Sequence, residues 1–409
     1  MELLRERNMR WYLGGQLVSL TGTMLQSAVL SLLIIELTKS RPADAVFWVG
    51  LVWALNFLPG AATVLVTGIY IDRWDKSRVL KITSILGMLQ SFALALLVAT
   101  NMITVWWICV LALLMGAISA FDGPARNAII KEAVLDGRNV ISAGAAFNSL
   151  YNLANIVGPG LAGPLVLTIG YGWSFTINGL SFAAVILALM KMSFEHLGEK
   201  ASVANSQVKV WDLAKEGFRH VFEKPNLQLC IVLSASICIF GFSYNTILAV
   251  VAKEMFVGDY HKIYSWFGVA SGLGGFLGSF VAVFWLKRFS VKSSVVGGCL
   301  LTGSCLVGFA HTSSLWLGIP LVFWSGFGFM LSFSPLRGAV MHLASPRFIG
   351  RVLGIALFFF FSAMMLGPFL IGLSAKYWGC PVVLLTSGVS LLVIAVATPF
   401  LPGINEIDK

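Results

Sequence analysis

Twelve stretches of the chain, each at least 18 residues long, contain no Asp, Glu, Lys or Arg. A helix needs roughly 20 predominantly apolar residues to cross a bilayer, because the hydrocarbon core is about 30 Å thick. Hydrophobic residues make up 58% of the chain and charged residues 11%, so a soluble fold would expose large apolar patches to water. The sequence therefore predicts an all-α membrane protein with twelve transmembrane helices. The predicted helices are residues 11–35, 46–70, 82–99, 104–121, 140–168, 173–190, 227–252, 264–286, 293–310, 315–333, 352–375 and 377–401.

The positions of the basic residues predict the orientation of these helices. If the N-terminus is cytoplasmic, 23 of the 28 Lys and Arg residues fall in inner segments and 5 in outer loops. Inner loops of membrane proteins carry such an excess of Lys and Arg. We therefore expect a multi-pass protein of the inner or plasma membrane with both termini in the cytoplasm. Topology and anionic lipid explain the net charge of +10, so no nucleic-acid partner is expected.

The longest and most polar connector divides the predicted helices into six and six. We expect an N-terminal bundle at residues 1–190, a cytoplasmic linker at residues 191–226 and a C-terminal bundle at residues 227–409. Within the linker, apolar residues that include Trp211 and Phe218 recur at helical spacing among charged ones. This pattern predicts an amphipathic helix that lies on the inner membrane surface and tethers the two halves.

Short motifs recur at equivalent places in the two halves. The matched pairs are Pro124 and Arg126 with Pro335 and Arg337, and Gly158 and Pro159 with Gly367 and Pro368. Many transporter folds consist of duplicated units with the binding site between the repeats, near the middle of the membrane. The sequence thus predicts a duplicated fold with a site of this kind.

Motifs of enzymes and metal sites are missing from the sequence. It contains no Gly-Lys dipeptide and hence no phosphate-binding loop of the ATPase type, and it lacks His-Glu-x-x-His and Gly-x-Ser-x-Gly. The six cysteines lie in apolar stretches without the spacing of metal ligands. We therefore expect a protein that is not an enzyme and that holds no metal or cofactor.

The segment after predicted helix 2 is the most informative part of the sequence. Gly68 precedes Asp72 and Arg73 by four and five residues, and Lys76 follows. An ordinary inner loop explains the basic residues but not the glycine. The segment resembles the signature loop of the major facilitator superfamily, Gly-x-x-x-Asp-Arg-x-x-basic, at each of these four positions. We refer to residues 68–78 as the signature segment.

Other segments resemble the branch of this superfamily that comprises bacterial drug and siderophore exporters. Asp75 matches an Asp-Arg-x-Asp-basic variant of the signature loop, and residues 37–40 and 216–219 also resemble that branch. In predicted helix 5, Gly158, Pro159 and Gly163 resemble the antiporter motif of exporters. Such a motif implies a bent, tightly packed helix that resists leakage, although a proline kink without this role is the alternative.

The resemblance implies a 6+6 pseudo-symmetric major facilitator fold that exports a small organic molecule by alternating access, as a monomer. The expected substrate is a siderophore or an amphiphilic drug-like compound. A lipid or lysolipid flippase of the same fold is one alternative. A membrane receptor or assembly protein that does not transport is another, although such a protein has no need of the signature segment.

The resemblance also implies a conformational latch. The signature segment, including its basic residue Arg78, is expected to hold the cytoplasmic ends of helices 2 and 11 in the outward-open state. Asp122, at the inner end of helix 4 and four residues before Arg126, is positioned to pair with Arg73. A helix cap independent of the latch is the alternative role for Asp122.

Neutral polar residues inside the predicted helices mark the expected substrate cavity. Asn148, Asn152 and Asn155 are spaced i, i+4, i+7 on helix 5, with Tyr151 beside them. Three amides exposed to lipid would be unfavourable, so this face should look into protein or a wet cavity. Each deep polar residue taken singly also fits a contact between helices. The other deep candidates are Gln26, Asn56, Tyr244, Asn245 and Trp324.

Proton-coupled transporters commonly carry a carboxylate within the membrane, and none lies inside the twelve stretches. The candidate carriers are therefore carboxylates at helix ends. They are Asp122, Glu36 and Asp72, and the expected coupling ion is H⁺.

Overall fold

The computed structural model describes residues 6–133, 140–192, 210–286, 288–345, 348–401 and 403–404. Within these ranges, the side chains of residues 66, 68–73, 131–133, 140–141 and 210–214 are outside the description. Gly68, Asp72 and Arg73 therefore lie on a described helix, but the predicted contacts of Asp72 and Arg73 fall outside the described side chains.

The described residues form thirteen α-helices and one short 3-10 turn, with no β-strand among them. The helices are α1 (Arg7–Leu37), α2 (Pro42–Arg73), α3 (Lys76–Ala99), α4 (Val105–Ala133), α5 (Val140–Lys191), α6 (Val210–Phe222), α7 (Pro225–Gly241), α8 (Tyr244–Glu254), α9 (Tyr260–Trp285), α10 (Val291–Ala310), α11 (Leu315–Leu343), α12 (Ile349–Trp378) and α13 (Cys380–Ala397), and the turn is Thr398–Phe400.

Eleven segments of the described chain are long and apolar enough to cross a membrane. One of them, the 50-residue segment Ser142–Lys191, contains Gly170 with φ 82° and ψ 174°, which breaks the helical path. Glycine adopts a positive φ without the steric penalty that other residues meet. Each side of Gly170 is of the length that one crossing needs, roughly 20 residues. The eleven segments thus account for the twelve predicted crossings.

The seventh predicted helix is interrupted, which the hydropathy pattern does not predict. It consists of α7 and α8, separated by Phe242 and Ser243. The Ser243 hydroxyl donates to the carbonyl oxygen of Cys238 at 3.2 Å. A serine side chain that bonds to a nearby carbonyl in this way competes with the helical hydrogen-bond pattern.

The chain forms two compact units whose boundaries cross two helices. The first unit comprises Met1–Leu30 and Thr63–Val210, and the second comprises Ser31–Ala62 and Trp211–Lys409. Helices α1 and α2 are continuous, yet each contributes one end to the first unit and the other end to the second. The sequence-based boundaries at residues 190 and 227 remain a prediction.

The first unit has its core near the predicted inner ends of α1, α3, α4 and α5. Met9, Tyr12, Leu80 and Ile129 are each at most 1% exposed and belong to one cluster of packed side chains. Because lipid is as apolar as these side chains, close packing rather than exclusion from water holds such helices together.

The second unit contains a very close helix pair, α9 and α11. A Cβ on Gly278 would lie 2.9 Å from the Cα of Phe327, and a Cβ on Gly274 would lie 3.0 Å from the nitrogen of Phe327. Small residues allow helix backbones to approach in membranes, where packing and hydrogen bonds drive association.

The linker helix α6 packs against the start of α12, a contact that its sequence pattern does not predict. A Cβ on Gly217 would lie 3.0 Å from Cδ1 of Ile355. The carboxylate of Glu216 accepts a hydrogen bond from Arg351 at 2.5 Å. The ring of Phe218 meets that of Phe358 edge-on, with centroids 6.4 Å apart. One face of α6 thus contacts protein.

Candidate functional site

The described part of the signature segment connects α2 to α3. Asp75 is the N-cap of α3, and its side chain accepts a hydrogen bond from the backbone N–H of Arg78 at 3.1 Å. The same carboxylate lies 3.3 Å from the Arg78 guanidinium. Lys76 is the first residue of α3. An aspartate at this position pairs with a helix amide that has no partner within the helix, so Asp75 has a structural role of its own.

Trp74 joins the signature segment to α4. Its indole stacks on the ring of Phe121, with centroids 6.2 Å apart and an interplanar angle of 25°. Phe121 directly precedes Asp122, so the residue that contacts the signature segment is adjacent on α4 to the candidate proton carrier. The stack was not predicted from the sequence, since both rings fit any membrane interface.

Asp122 and Arg126 form an ion pair inside the first unit. The side chain of Arg126 is 7% exposed and that of Asp122 15% exposed. The Asp122 carboxylate accepts from Nε of Arg126 and, at 2.8 Å, from the hydroxyl of Thr83 on α3. Arg126 also donates to the side-chain oxygen of Gln16 on α1. Tyr12 donates to the carbonyl oxygen of Arg126 at 2.8 Å. These five residues, which we call the inner cluster, thus connect α1, α3 and α4.

Sequence reasoning missed two members of the inner cluster, Tyr12 and Gln16. Both lie within the first predicted helix, four residues apart on one face. The rule that singled out Gln26, an amide deep in an apolar stretch, would also have found Gln16. The Gln16 side chain is fully buried, and its Nε2 has no hydrogen-bond partner among the described atoms.

Gln26, a predicted cavity residue, lies in a buried amide network. Its Nε2 donates to Oε1 of Gln90 on α3 at 3.0 Å, and its Oε1 accepts from Asn178 on α5 at 2.9 Å. Asn178 also donates to the hydroxyl of Ser91 at 3.1 Å. Gln26 is 3% exposed. Both ends of its amide are used between helices, because an unpaired amide in apolar surroundings is unfavourable.

The polar face of α5 has different exposures along its length. Asn148 and Tyr151 are exposed, whereas Asn152 and Asn155 are half-buried. The amide of Asn155 donates to the backbone oxygen of Tyr151 at 2.9 Å, which is a bond within the helix. The face therefore presents accessible polar groups, as expected of a substrate-lining surface, but their role in binding remains a prediction.

The other cavity candidates lie at three places in the second unit. Tyr244 is buried and its hydroxyl shares a hydrogen bond with Ser325. Asn245 accepts from the hydroxyl of Ser271 at 2.7 Å. Asn56 is half-buried on α2, and Trp324 is 46% exposed on α11. Tyr244 thus joins helices, while Asn56, Asn245 and Trp324 keep part of their surface available.

The two Gly-Pro pairs make equivalent close contacts in the two units. A Cβ on Gly158 of α5 would lie 2.8 Å from the backbone nitrogen of Leu25 on α1. A Cβ on Gly367 of α12 would lie 3.2 Å from Cα of Ile239 on α7 and would overlap the Ser243 side chain. In a duplicated fold the first helix of each half is equivalent. The matched contacts therefore support the duplication and the close packing expected of the antiporter-like motif, of which Pro159 and Gly163 also lie within α5.

The predicted outer ends of α1 and α2 pack against the second unit's other helices. Lys376 on α12 forms an ion pair with Asp44 on α2 at 2.9 Å. The backbones of α2 and α12 touch at Gly50 and Gly372, where a Cβ on Gly50 would lie 3.0 Å from the Gly372 Cα. Glu36 pairs with Lys39 and accepts from the Tyr260 hydroxyl at 3.4 Å.

Comparison with known proteins adds family relationships to this geometry. Residues 3–408 match the family model described as transmembrane secretion effector. The multidrug efflux pump Tap of Mycolicibacterium fortuitum is 25% identical over 86% of each chain. Macrolide efflux protein A of Streptococcus pyogenes is 22% identical over 96% of each chain. The staphyloferrin A transporter of Staphylococcus aureus is 25% identical over 64% of each chain.

Solved transporter structures share the fold at low sequence identity. A point mutant of the nucleoside transporter NupG superposes with a TM-score of 0.77 at 14% identity, and the match covers 95% of this chain and 99% of the NupG chain. A bacterial homologue of the human lysosomal transporter Spinster, inward-facing and unoccupied, gives a TM-score of 0.74 at 15% identity and 98% coverage of both chains. The predicted twelve-helix, all-α membrane fold is confirmed.

Proposed function

Because the chain belongs to the transmembrane secretion effector family of the major facilitator superfamily, we propose that it is a secondary active exporter that works by alternating access. It is a multi-pass membrane transporter and not an enzyme. The proposed cargo is a small molecule, either a siderophore or an amphiphilic drug-like compound, which is carried out of the cytoplasm. The proposed transporter is a monomer. The proposed driving force is an ion gradient, with H⁺ as the coupling ion.

The names of the relatives support export of such cargo. They include a multidrug efflux pump, a macrolide efflux protein and a staphyloferrin A transporter. The exposed part of the α5 face, with Asn148 and Tyr151, supports a substrate path that offers neutral hydrogen-bonding groups beside apolar surface. Such a surface suits bulky molecules that are polar but weakly charged.

The ion pair of Asp122 and Arg126 is the observation that carries the proposed coupling. Both groups are largely buried, and removal of one charge from a buried pair leaves the other uncompensated. A proton on Asp122 would neutralise the carboxylate and weaken its attraction to Arg126, whose guanidinium also donates to Gln16. Protonation would thus change which arrangement of the inner cluster is favoured, because a proton that binds one conformation more tightly shifts the equilibrium towards that conformation.

The signature segment is proposed to act with this cluster as the cytoplasmic latch. Its position between α2 and α3, with Trp74 stacked next to Asp122, supports a link between the two. In the proposed cycle, protonation of Asp122 and the engagement of Asp72 and Arg73 alternate as the inner side closes and opens.

Purified protein in sealed vesicles tests the proposal. Efflux of ethidium, erythromycin and a polycarboxylate siderophore would be followed with an imposed pH gradient, an imposed potential, or neither. We expect transport of at least one compound that responds to the pH gradient and needs no ATP. If none moves and a labelled lysolipid does, the flippase alternative is correct. If nothing moves under any gradient, export is excluded.

Two amide substitutions test the carriers in the same assay. Asp122→Asn should remove the response to the pH gradient, whereas Glu36→Gln, at the outer end where water reaches the carboxylate, should reduce it less. Glu223→Gln is the matched control, since Glu223 is an exposed carboxylate on the linker. If both Asp122→Asn and Glu36→Gln keep the wild-type response, the protein is a uniporter or uses another cation.

A further inference from the structure

The contacts around Trp74 place a residue of the signature segment next to the proposed proton carrier. Trp74 stacks on Phe121, and Phe121 is covalently adjacent to Asp122. Trp74 is itself followed by Asp75, which caps α3 through the backbone N–H of Arg78. The short connection between α2 and α3 is therefore held on one side by α4 and on the other by the first turn of α3.

Asp122 also contacts α3, the helix that follows this connection. Its carboxylate accepts a hydrogen bond from Thr83, two turns into α3. The charged or titratable side chains recorded near the carboxylate are Arg126 on its own helix and Tyr12 on α1. The Arg73 side chain lies outside the described ones. Asp122 is thus connected to α3 through Thr83 and to the signature segment through Phe121 and Trp74.

We propose that Trp74 is a positioning residue that transmits the protonation state of Asp122 to the signature segment. This inference rests on the proposed function, in which Asp122 carries the coupling proton. Protonation converts the Asp122 carboxylate to a carboxylic acid, which attracts Arg126 less and can donate to Thr83. The backbone of α4 at Phe121 adjusts with it, and the stacked indole moves the signature segment.

The stack on Phe121 involves the ring of Trp74, so two substitutions at position 74 test the ring. Trp74→Phe keeps an aromatic surface against Phe121, while Trp74→Ala removes it. An aromatic stack biases a conformational equilibrium by about two- to tenfold, so the alanine variant should lose an effect of this size. Trp106, an exposed tryptophan at the outer end of α4, provides the matched control in Trp106→Ala.

A labelling experiment reads the signature segment without relying on transport. In full-length protein that lacks the six native cysteines, Arg78→Cys is labelled by a water-soluble maleimide in inside-out vesicles, in mildly acidic and mildly alkaline buffer. Arg219→Cys on α6 corrects for the pH dependence of the reagent, since Arg219 is 82% exposed. We expect the corrected labelling rate to change by about threefold between the two buffers with Trp74 or Phe at position 74, and to be constant in Trp74→Ala.

Combination with Asp122→Asn separates the possible outcomes. If Asp122 acts through Trp74, the variant with both Trp74→Ala and Asp122→Asn should be labelled at the same rate as Trp74→Ala alone, because the state of Asp122 no longer reaches the signature segment. Multiplied effects of the two changes would overturn the inference, as would a wild-type pH response in Trp74→Ala. If Asp122→Asn itself keeps the wild-type response, the proposed coupling fails and this inference fails with it, whereas a response that is lost in Asp122→Asn but kept in Trp74→Ala overturns the role of Trp74 alone.

Discussion

The ammonium group of Lys376, in the last turn of α12, lies 2.9 Å from the carboxylate of Asp44, in the first turn of α2. Lys376 also lies 5.3 Å from the ring centre of Phe47. An acidic residue in the first turn and a basic residue in the last turn both complement the dipoles of their own helices. The pair joins the outer ends of two helices that touch again at Gly50 and Gly372.

The Asp44 and Lys376 pair should show a measurable coupling in stability. We expect a double-mutant cycle with Asp44→Asn and Lys376→Gln, read from thermal unfolding in detergent, to give a larger coupling than the same cycle on Arg219 and Glu223. The side chains of the first pair are 23% and 34% exposed and those of the second 82% and 57%, so water screens the second more. Equal couplings would show that the outer pair contributes nothing beyond an ordinary surface contact.

The contact between Gly50 and Gly372 should not tolerate a side chain. Gly50→Ala places a methyl group against the carbonyl oxygen of Pro368 and the Cα of Gly372, so we expect a loss of about 1–3 kcal/mol in stability. Gly338→Ala on α11 is the control, because a Cβ there meets nothing within 4 Å. Thermal unfolding in detergent provides the comparison. The same loss in both variants would mean that glycine matters for the helices themselves rather than for their contact.

The buried ion pair should depend on both of its members. Arg126→Leu leaves Asp122 without its main cation, and we expect a loss of about 3–5 kcal/mol in unfolding free energy. The further change Asp122→Leu should recover part of that loss, because no buried charge remains unpaired. Arg78→Gln, in the exposed pair with Asp75, should change stability by less than about 1 kcal/mol. Additive losses in the Asp122 and Arg126 variants would contradict a direct pairing.

The amide network should be a structural element rather than a binding surface. Asn178→Leu removes the donor to Gln26 and Ser91, and an unpaired buried acceptor costs about 1–3 kcal/mol. Asn148→Leu, at an exposed amide of α5, should leave the unfolding temperature nearly unchanged. A larger effect of Asn148→Leu on stability would place that side chain inside the packed bundle instead.

The polar face of α5 should be accessible to water, and the other faces of the helix should not. In the background without native cysteines, cysteines at Asn148, Asn152 and Asn155 should react with a water-soluble thiol reagent and be protected by a transported compound. Leu150 and Leu153 serve as controls. Leu153 is 43% exposed, so a lower reactivity at that position would not be explained by burial within the protein. Reaction at all five positions would rule out a polar path along one face.

Hydropathy alone was sufficient to predict the helical content and the number of crossings. The length of an apolar stretch and the need to pair every backbone polar group are local properties, so each span can be read from its own residues. The interruption at Phe242 and Ser243 lay inside one apolar stretch and left no sign in hydropathy. The glycines of the short motifs Gly158-Pro159 and Gly367-Pro368 were also informative, because a small residue in a membrane helix allows a neighbouring backbone to approach.

The partners of the polar side chains were decided by tertiary structure. The sequence predicts a pairing of Asp122 with Arg73, whose side chain is outside the described ones, and the partner that the structure describes is Arg126. Gln26 had the character of a cavity residue, yet its partners Gln90 and Asn178 come from other helices, 64 and 152 residues away. Which face of a helix meets which neighbour depends on how helices rotate and pack against each other. That choice is not encoded in the composition of either helix, so residue types predicted the helices while packing decided the contacts.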